Sequence, residues 1–468
     1  MYKISVPIIN TDFRKYGGEE KVLEQIKKLG ADRVFLACGE YVTDNEIRKG
    51  YMDRLQKNCA FLKKHGFEVG VWNWSTWYTG EQLFTAKTVA DGRTIGHACP
   101  ADPNFQKFAG EYMADFARCG VDIILLDDDF KFGFYGGIDR ITCTCKHHMQ
   151  KINDILGEEL SPEELERKAM CGGKNKYRSA WMKSKKDSLL EFAETLRRYT
   201  DTVNPDVRIG LCAEMSIWDN DGIDAATLSR VLAGNTKPLL RLIGAPYWAV
   251  DRSIGNCRLQ HVIELERMER SWCGDGIEII AEGDVYPRPR HYCPSAYLEL
   301  FDMAMRADGT TDGILKYALD YYSTMDYEQG YIERHCKNKL VYDGIEKIFA
   351  GKTSAGVRVY EQLNKLENAN IPKEIEGGLA IENIFFSPAA KMLADASIPT
   401  TYQGEGVCSV AFGENIKYVP DEALKRGIII DASAAKILME KGIDVGIISF
   451  GEKKCSRWKN ILQITMNR

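Results

Sequence analysis

Residues 120–133 read GVDIILLDDDFKFG, an apolar run from Ile123 to Leu126 that ends in three consecutive aspartates. Adjacent carboxylates repel one another and resist leaving water, so a chain keeps them where they are solvated, paired or used. Unbroken Ile and Leu without polar alternation mark a strand buried on both faces, as in a parallel sheet. What the aspartates do therefore depends on where that strand delivers them.

Seven more runs have the same character: KISVPIIN from Lys3, RVFLACGE from Arg33, EVGVWNW from Glu68, VRIGLCAE from Val207, LLRLIGAPYW from Leu239, IEIIAEGD from Ile277 and GILKYALD from Gly313. Amphipathic stretches lie between them, such as EEKVLEQIKKLG and SAYLELFDMAMRADG, with glycine near several ends, and these predict helices. Eight strand–helix units in order predict a (β/α)8 TIM barrel over residues 1–350. A doubly wound sheet is the competing arrangement. The connection after the fourth strand, about residues 131–204, is the longest, and such extensions commonly build a site. Near Ala350 the pattern shifts to short strands and helices, including GIIID and SAAKILMEKG, which predicts a small α/β domain over 351–468. The final basic stretch, GEKKCSRWKNILQITMNR, finds no clear place in it.

The chain has 468 residues, 44% of them hydrophobic, and a formal net charge of -5, enough for a large core and against a nucleic-acid partner. No run approaches eighteen apolar residues and none resembles a signal peptide, so the expectation is a cytoplasmic protein without a membrane partner. Fourteen cysteines in that setting imply reduced thiols or a metal site rather than a disulfide framework.

In a barrel of this type the C-terminal strand ends form the active face. Glu40 follows the second strand, Asp127, Asp128 and Asp129 the fourth, Glu214 the fifth, Glu282 and Asp284 the seventh, and Asp320 the eighth. Aromatic residues accompany them: Trp72, Trp74, Trp77 and Tyr78 after the third strand, Tyr247 and Trp248 after the sixth, Tyr286 after the seventh. Flat rings flanked by carboxylates suit a carbohydrate, whose C–H faces stack while its hydroxyls find acceptors. Two carboxyls facing each other from strands four and seven are what glycosidic cleavage needs, with no organic cofactor. The same acids also have arginine partners available in Arg241, Arg288 and Arg290. A metal-dependent sugar isomerase or epimerase would need histidines at the strand ends, and none stands there. A phosphorylase or an inactive carbohydrate-binding barrel would carry the same acids and rings. By strand alternation Asp127 and Asp129 point the same way and Asp128 the other, which makes Asp127 a second candidate acid.

Cys99 lies just after the third strand, and Cys143, Cys145, His147 and His148 lie in the loop after the fourth. Two thiolates two apart plus a nearby His or Cys, joined by one distant thiolate, have the composition a tetrahedral structural zinc site needs, so one is an expectation here.

These segments together resemble glycoside hydrolase family 42, the bacterial β-galactosidase group. His97-Ala98-Cys99, then Asp128-Asp129-Phe130, then Cys143-Thr144-Cys145-Lys146-His147-His148 follow the order of the family's His-x-Cys, Asn-Glu-aromatic and Cys-x-Cys-x-x-Cys segments. The resemblance is that of a distant relative. It implies an exo-acting, β-galactosidase-like hydrolase with Asp129 as acid/base, Asp128 in sugar contact and Glu282 as nucleophile. It also implies zinc on Cys99, Cys143, Cys145 and His148, and a shortened trimerisation domain over Ser354 to Phe450, hence a homo-oligomer.

Overall fold

The computed structural model describes residues 2–132, 140–214, 218, 220–244, 259–285, 293–319, 321, 330–363, 365–371, 388–453 and 461–466. Eight parallel strands close on themselves: β1 (Lys3–Ile9), β2 (Arg33–Val42), β3 (Glu68–Thr79), β4 (Ile123–Leu126), β5 (Arg208–Cys212), β6 (Leu239–Leu242), β7 (Glu278–Gly283) and β8 (Gly313–Lys316). Each pairs with the next and β8 pairs with β1, so all eight expected runs are barrel staves. Residues 123–126 are completely buried, because alternate side chains fill the barrel while the others meet surrounding helices.

The long connection after β4 contains helices Lys146–Leu156, Pro162–Ala169 and Lys176–Asp201. The last buries Trp181, Leu189 and Phe192, and the second begins with a Ser161/Glu164 capping box. No helix among the described residues is long and apolar enough to cross a membrane.

The opposite end of the barrel carries an ionic floor. Arg33, Glu68, Arg208 and Glu278 are the first residues of β2, β3, β5 and β7. Arg33 pairs with Glu68 at 2.7 Å and Glu278 at 2.9 Å, and Arg208 reaches Glu278 at 2.8 Å. Buried charges are tolerable there because each finds an opposite one.

The chain divides after Lys352, and residues 370 and 371 return to the first unit, where Ile371 pairs with Gly172. The second unit holds a parallel sheet in the order Thr400–Thr401, Val357–Val359, Ser409–Ala411, Ile428–Ile430. Ala411, Ile416, Val419, Ala434 and Leu438 form its core. The strand and helix expected from GIIID and SAAKILMEKG are both present, as Ile428–Ile430 and Ala432–Glu440. Part of the unplaced basic stretch is also a strand, Ile461–Met466, antiparallel to Ile447–Lys453.

Candidate active site

β4 stops at Leu126, and the chain then turns. The Asp127 carboxylate accepts the Asp128 N–H at 2.9 Å, and the Lys131 N–H donates to the Asp129 carbonyl at 2.8 Å. Phe130 stacks on Phe192 at 5.1 Å between ring centres, and Phe132 meets His148 edge-on at 4.6 Å. With those rings anchored, Asp128 is left facing Arg241 of β6 and Lys131 facing Glu214. Alternation fails here because it holds only while the backbone is pleated. Asp127 and Asp128 both lie 3.8 Å from Arg241 Nη2, and Asp129 turns away.

Asp129 is fully buried against the end of β3. It accepts N–H groups from Ser75 at 2.7 Å, Thr76 at 2.7 Å and Trp77 at 3.0 Å, and the hydroxyls of Ser75 at 2.5 Å and Thr76 at 2.8 Å. Burial pushes its carboxyl up, but His97, Lys87 and the Ser75 donors outweigh that and hold it far below the usual carboxylate range. Such a group neither keeps a proton near neutral pH nor reaches a substrate, so the acid/base role expected for Asp129 does not fit its surroundings. It is a pin joining two strand ends. Asp129→Ala leaves the buried N–H groups of Ser75 and Thr76 and the part-buried one of Trp77 without that acceptor and is expected to remove about 3–5 kcal/mol of stability, read by urea unfolding.

The mouth is organised by Arg241. Its guanidinium is fully buried, bonds Glu282 of β7 and lies beside Asp127 and Asp128. One guanidinium therefore spans acids delivered by β4 and β7, three staves apart in the barrel. The Gly244 N–H donates to the other Glu282 oxygen at 3.4 Å. Burial raises Glu282 to about 7 against the pull of Arg241, with Asp284 and Asp128 adding to the rise. Burial also raises Asp128, opposed by Lys131 and Arg241, and raises Asp127 strongly with help from Asp128. The side chain of Asp128 is 33% exposed against 10% for Asp127, so Asp128 is the more open acid.

Lys131 pairs with Glu214 at 2.9 Å, and Asp284 accepts the Val285 N–H at 2.6 Å. Trp72 packs on Tyr321 at 4.5 Å and Tyr317 at 5.8 Å between ring centres, lining the floor from β3 to β8. Glu40 is half-buried on β2; Trp74 is half-buried and Trp77 exposed. Trp248 and Asp320, with Tyr247 and Tyr286, lie outside the described residues. In the sequence Arg241 stands only as a neutralising partner, and Lys131, Gly244, Tyr317 and Tyr321 were missed; Tyr317 stands one residue past β8, where strand-end logic reaches it.

Behind Glu282, the inner face of helix Leu259–Cys273 carries Glu266 and Glu269, both fully buried. Glu269 accepts the Trp218 indole N–H at 2.6 Å, while both Glu266 carboxyl oxygens lack a hydrogen-bond partner among the described residues. A Cβ on Gly244 would fall 2.0 Å from a Glu266 carboxyl oxygen, so a side chain there would force Glu266 to shift. Burial, then repulsion from Glu269 and Glu282, pushes the Glu266 carboxyl well up. A carboxyl raised in the folded state contributes stability below its unfolded pKa and loses it as pH rises. Glu266→Gln is therefore expected to match the wild type best near pH 4 and to gain on it at higher pH, by up to about 1.4 kcal/mol per pH unit, in denaturant titrations across pH 4–8.

Cys99, Cys143, Cys145 and His148 are buried with their ligand atoms within 4.8 Å of one another. Cys145 caps helix Lys146–Leu156 and His148 lies three residues on, so both share one face. His148 Nδ1 is 3.4 Å from the sulfurs of Cys99 and Cys145, which are 3.5 Å apart. Three thiols and an imidazole at these separations fit a tetrahedral zinc ion. A second set, Glu299, Asp302 and His335, already holds a cation of the chain: the Lys316 ammonium lies 2.5, 2.7 and 2.9 Å from them.

No family model and no curated protein matches the sequence. Solved structures do match. A β-galactosidase from Rahnella sp. R3 is 12% identical with a TM-score of 0.59, covering 91% of this chain and 68% of that one. A GH42 β-galactosidase from G. stearothermophilus is 12% identical with a TM-score of 0.58, covering 92% and 72%. An exo-β-1,4-mannosidase from Opitutaceae bacterium strain TAV5 is 11% identical with a TM-score of 0.55, covering 99% and 84%. The closed eight-stranded barrel is the fold this chain shares with those structures. At such identity the likeness is one of fold, and it extends through most of the chain.

Proposed function

We propose that the protein is an exo-acting, β-galactosidase-like glycoside hydrolase. The observation that carries this reading is the meeting of a strand-four acid, Asp128, and a strand-seven acid, Glu282, at the single guanidinium of Arg241. Glu282, held by Arg241 and the Gly244 N–H, serves as nucleophile or as the base that activates water; Asp128 protonates the leaving oxygen. Arg241 favours the ionised form of Glu282, while burial, with crowding by Glu214 and Asp129, favours the protonated form of Asp128. Trp72, Tyr317 and Tyr321 give the sugar ring an apolar floor. The exo-acting, galactosyl part of the reading draws on the named activities of the structural neighbours.

Zinc on Cys99, Cys143, Cys145 and His148 belongs to the same proposal as a structural staple between the end of β3 and the loop after β4. The second unit serves homo-oligomerisation, a trimer on the family resemblance, and carbohydrate is the substrate partner in a cytoplasmic setting. A panel of nitrophenyl glycosides without added metal tests the activity. Turnover of at least one supports hydrolysis, and turnover of none, or only with inorganic phosphate, removes it.

A further inference from the structure

Trp77 is a large apolar side chain left 41% exposed on a backbone that is anything but loose. The backbone N–H groups of residues 75, 76 and 77 all end on the Asp129 carboxylate, and the Trp77 ring is braced edge-on against His97 at 4.4 Å. Trp74 stands beside it with ring centres 5.5 Å apart and planes inclined at 57°. An indole held rigidly toward water gains little packing from folding but loses little entropy when it meets a flat ligand.

Its place in the barrel says which part of a ligand it meets. β3 pairs with β4, and in the strand order it stands four staves from β7, diametrically opposite. The acid of strand four gives its proton to the leaving oxygen, so the leaving group departs on the side of strand four, away from the strand-seven nucleophile. The residue next to the acid Asp128 is the pin Asp129, which fixes the position of Trp77.

We infer that Trp74 and Trp77 form the subsite for the leaving group, and that this group is itself a pyranose ring, making the substrate a disaccharide or longer saccharide. The inference rests on the hydrolase reading above and narrows its substrate class. Asp129 and His97 act here as positioning residues, working through Trp77 rather than on the sugar.

The test is the pattern of loss in Trp77→Ala, checked for a wild-type melting temperature and compared across three leaving groups on one sugar: a second pyranose, a methyl group and a nitrophenyl group. The kcat/KM for disaccharides is expected to fall about ten- to a hundred-fold, mostly through KM, at least ten-fold more than for the methyl glycoside. Equal losses on disaccharide and methyl glycoside overturn the assignment. A loss confined to the nitrophenyl glycoside assigns the rings to aryl leaving groups and overturns the pyranose. Calorimetric titration of β-linked disaccharides into Glu282→Gln, with and without Trp77→Ala, reads the subsite independently of turnover. Weakened binding in the double variant supports it, and unchanged or undetectable binding in both overturns it. Lack of wild-type turnover would instead count against the hydrolase reading.

Discussion

Glu282→Gln is expected to abolish turnover of every glycoside, by about 10³-fold or more, because the amide neither attacks an anomeric carbon nor activates water. The substitution is nearly isosteric. It keeps a partner for the Gly244 N–H and exchanges one charged partner of Arg241 for a neutral one, so the variant should fold and still bind substrate. Asp128→Asn divides substrates instead: poor leaving groups that need protonation lose about 10²–10⁴-fold, while an activated nitrophenyl glycoside keeps more of its rate. In the wild type Glu282 must be ionised to act, so kcat/KM should fall as pH drops through about 7. Steady-state rates across pH and leaving group check all three statements. Wild-type rates in Glu282→Gln would remove the mechanism, and equal loss on good and poor leaving groups in Asp128→Asn would move the acid to Asp127.

Loss of the metal is the second large effect. Purified protein is expected to carry about one zinc per chain, and stripping it or making Cys99→Ser should lower the melting temperature by about 10–20 °C. Structural zinc contributes about 10 kcal/mol in small domains, and a domain of this size shifts about 2 °C per kcal/mol. The effect should extend beyond the ligands, because Thr88 of the hairpin Ala86–Ala98 donates its N–H to Cys143 Sγ at 3.4 Å. One residue before it, the buried Lys87 ammonium donates to the Lys131 carbonyl at 2.7 Å and to Thr76 Oγ1 at 3.0 Å. A folded protein of unchanged melting temperature and no bound metal would exclude the site. Elemental analysis and thermal unfolding with and without chelator decide it.

The barrel was legible because its signal is local and repeated. Each parallel strand must be apolar on both faces, and eight such runs separated by amphipathic stretches leave few arrangements. The acids on strands four and seven followed from the barrel alone. Which aspartate of the three faces the mouth did not, since it depends on where β4 loses its pleat and on Phe130 finding Phe192, a partner 62 residues away on another helix. Arg241 reads in sequence only as a neutralising partner, beside Arg288 and Arg290. Its role is set by Asp127, Asp128 and Glu282 arriving from two other strands, a meeting that no local pattern encodes. Tyr317 and Tyr321 stand past β8 in the same stretch of sequence as Asp320, and their meeting with Trp72 of β3 is likewise a contact that no local pattern encodes.

The ionic floor has a bearing on how the barrel assembles. A parallel strand can slip by two residues against its neighbour and still present the same faces, so apolar patterning alone permits misregistered barrels. A slip of that size at β2 would draw Arg33 away from Glu68 and Glu278 and leave a fully buried guanidinium unpaired, at a cost of several kcal/mol. The charged first residues of β2, β3, β5 and β7 thus act as a register lock. With alignment of the staves enforced from below, the residues at the other rim are free to diverge toward new ligands without endangering closure of the barrel.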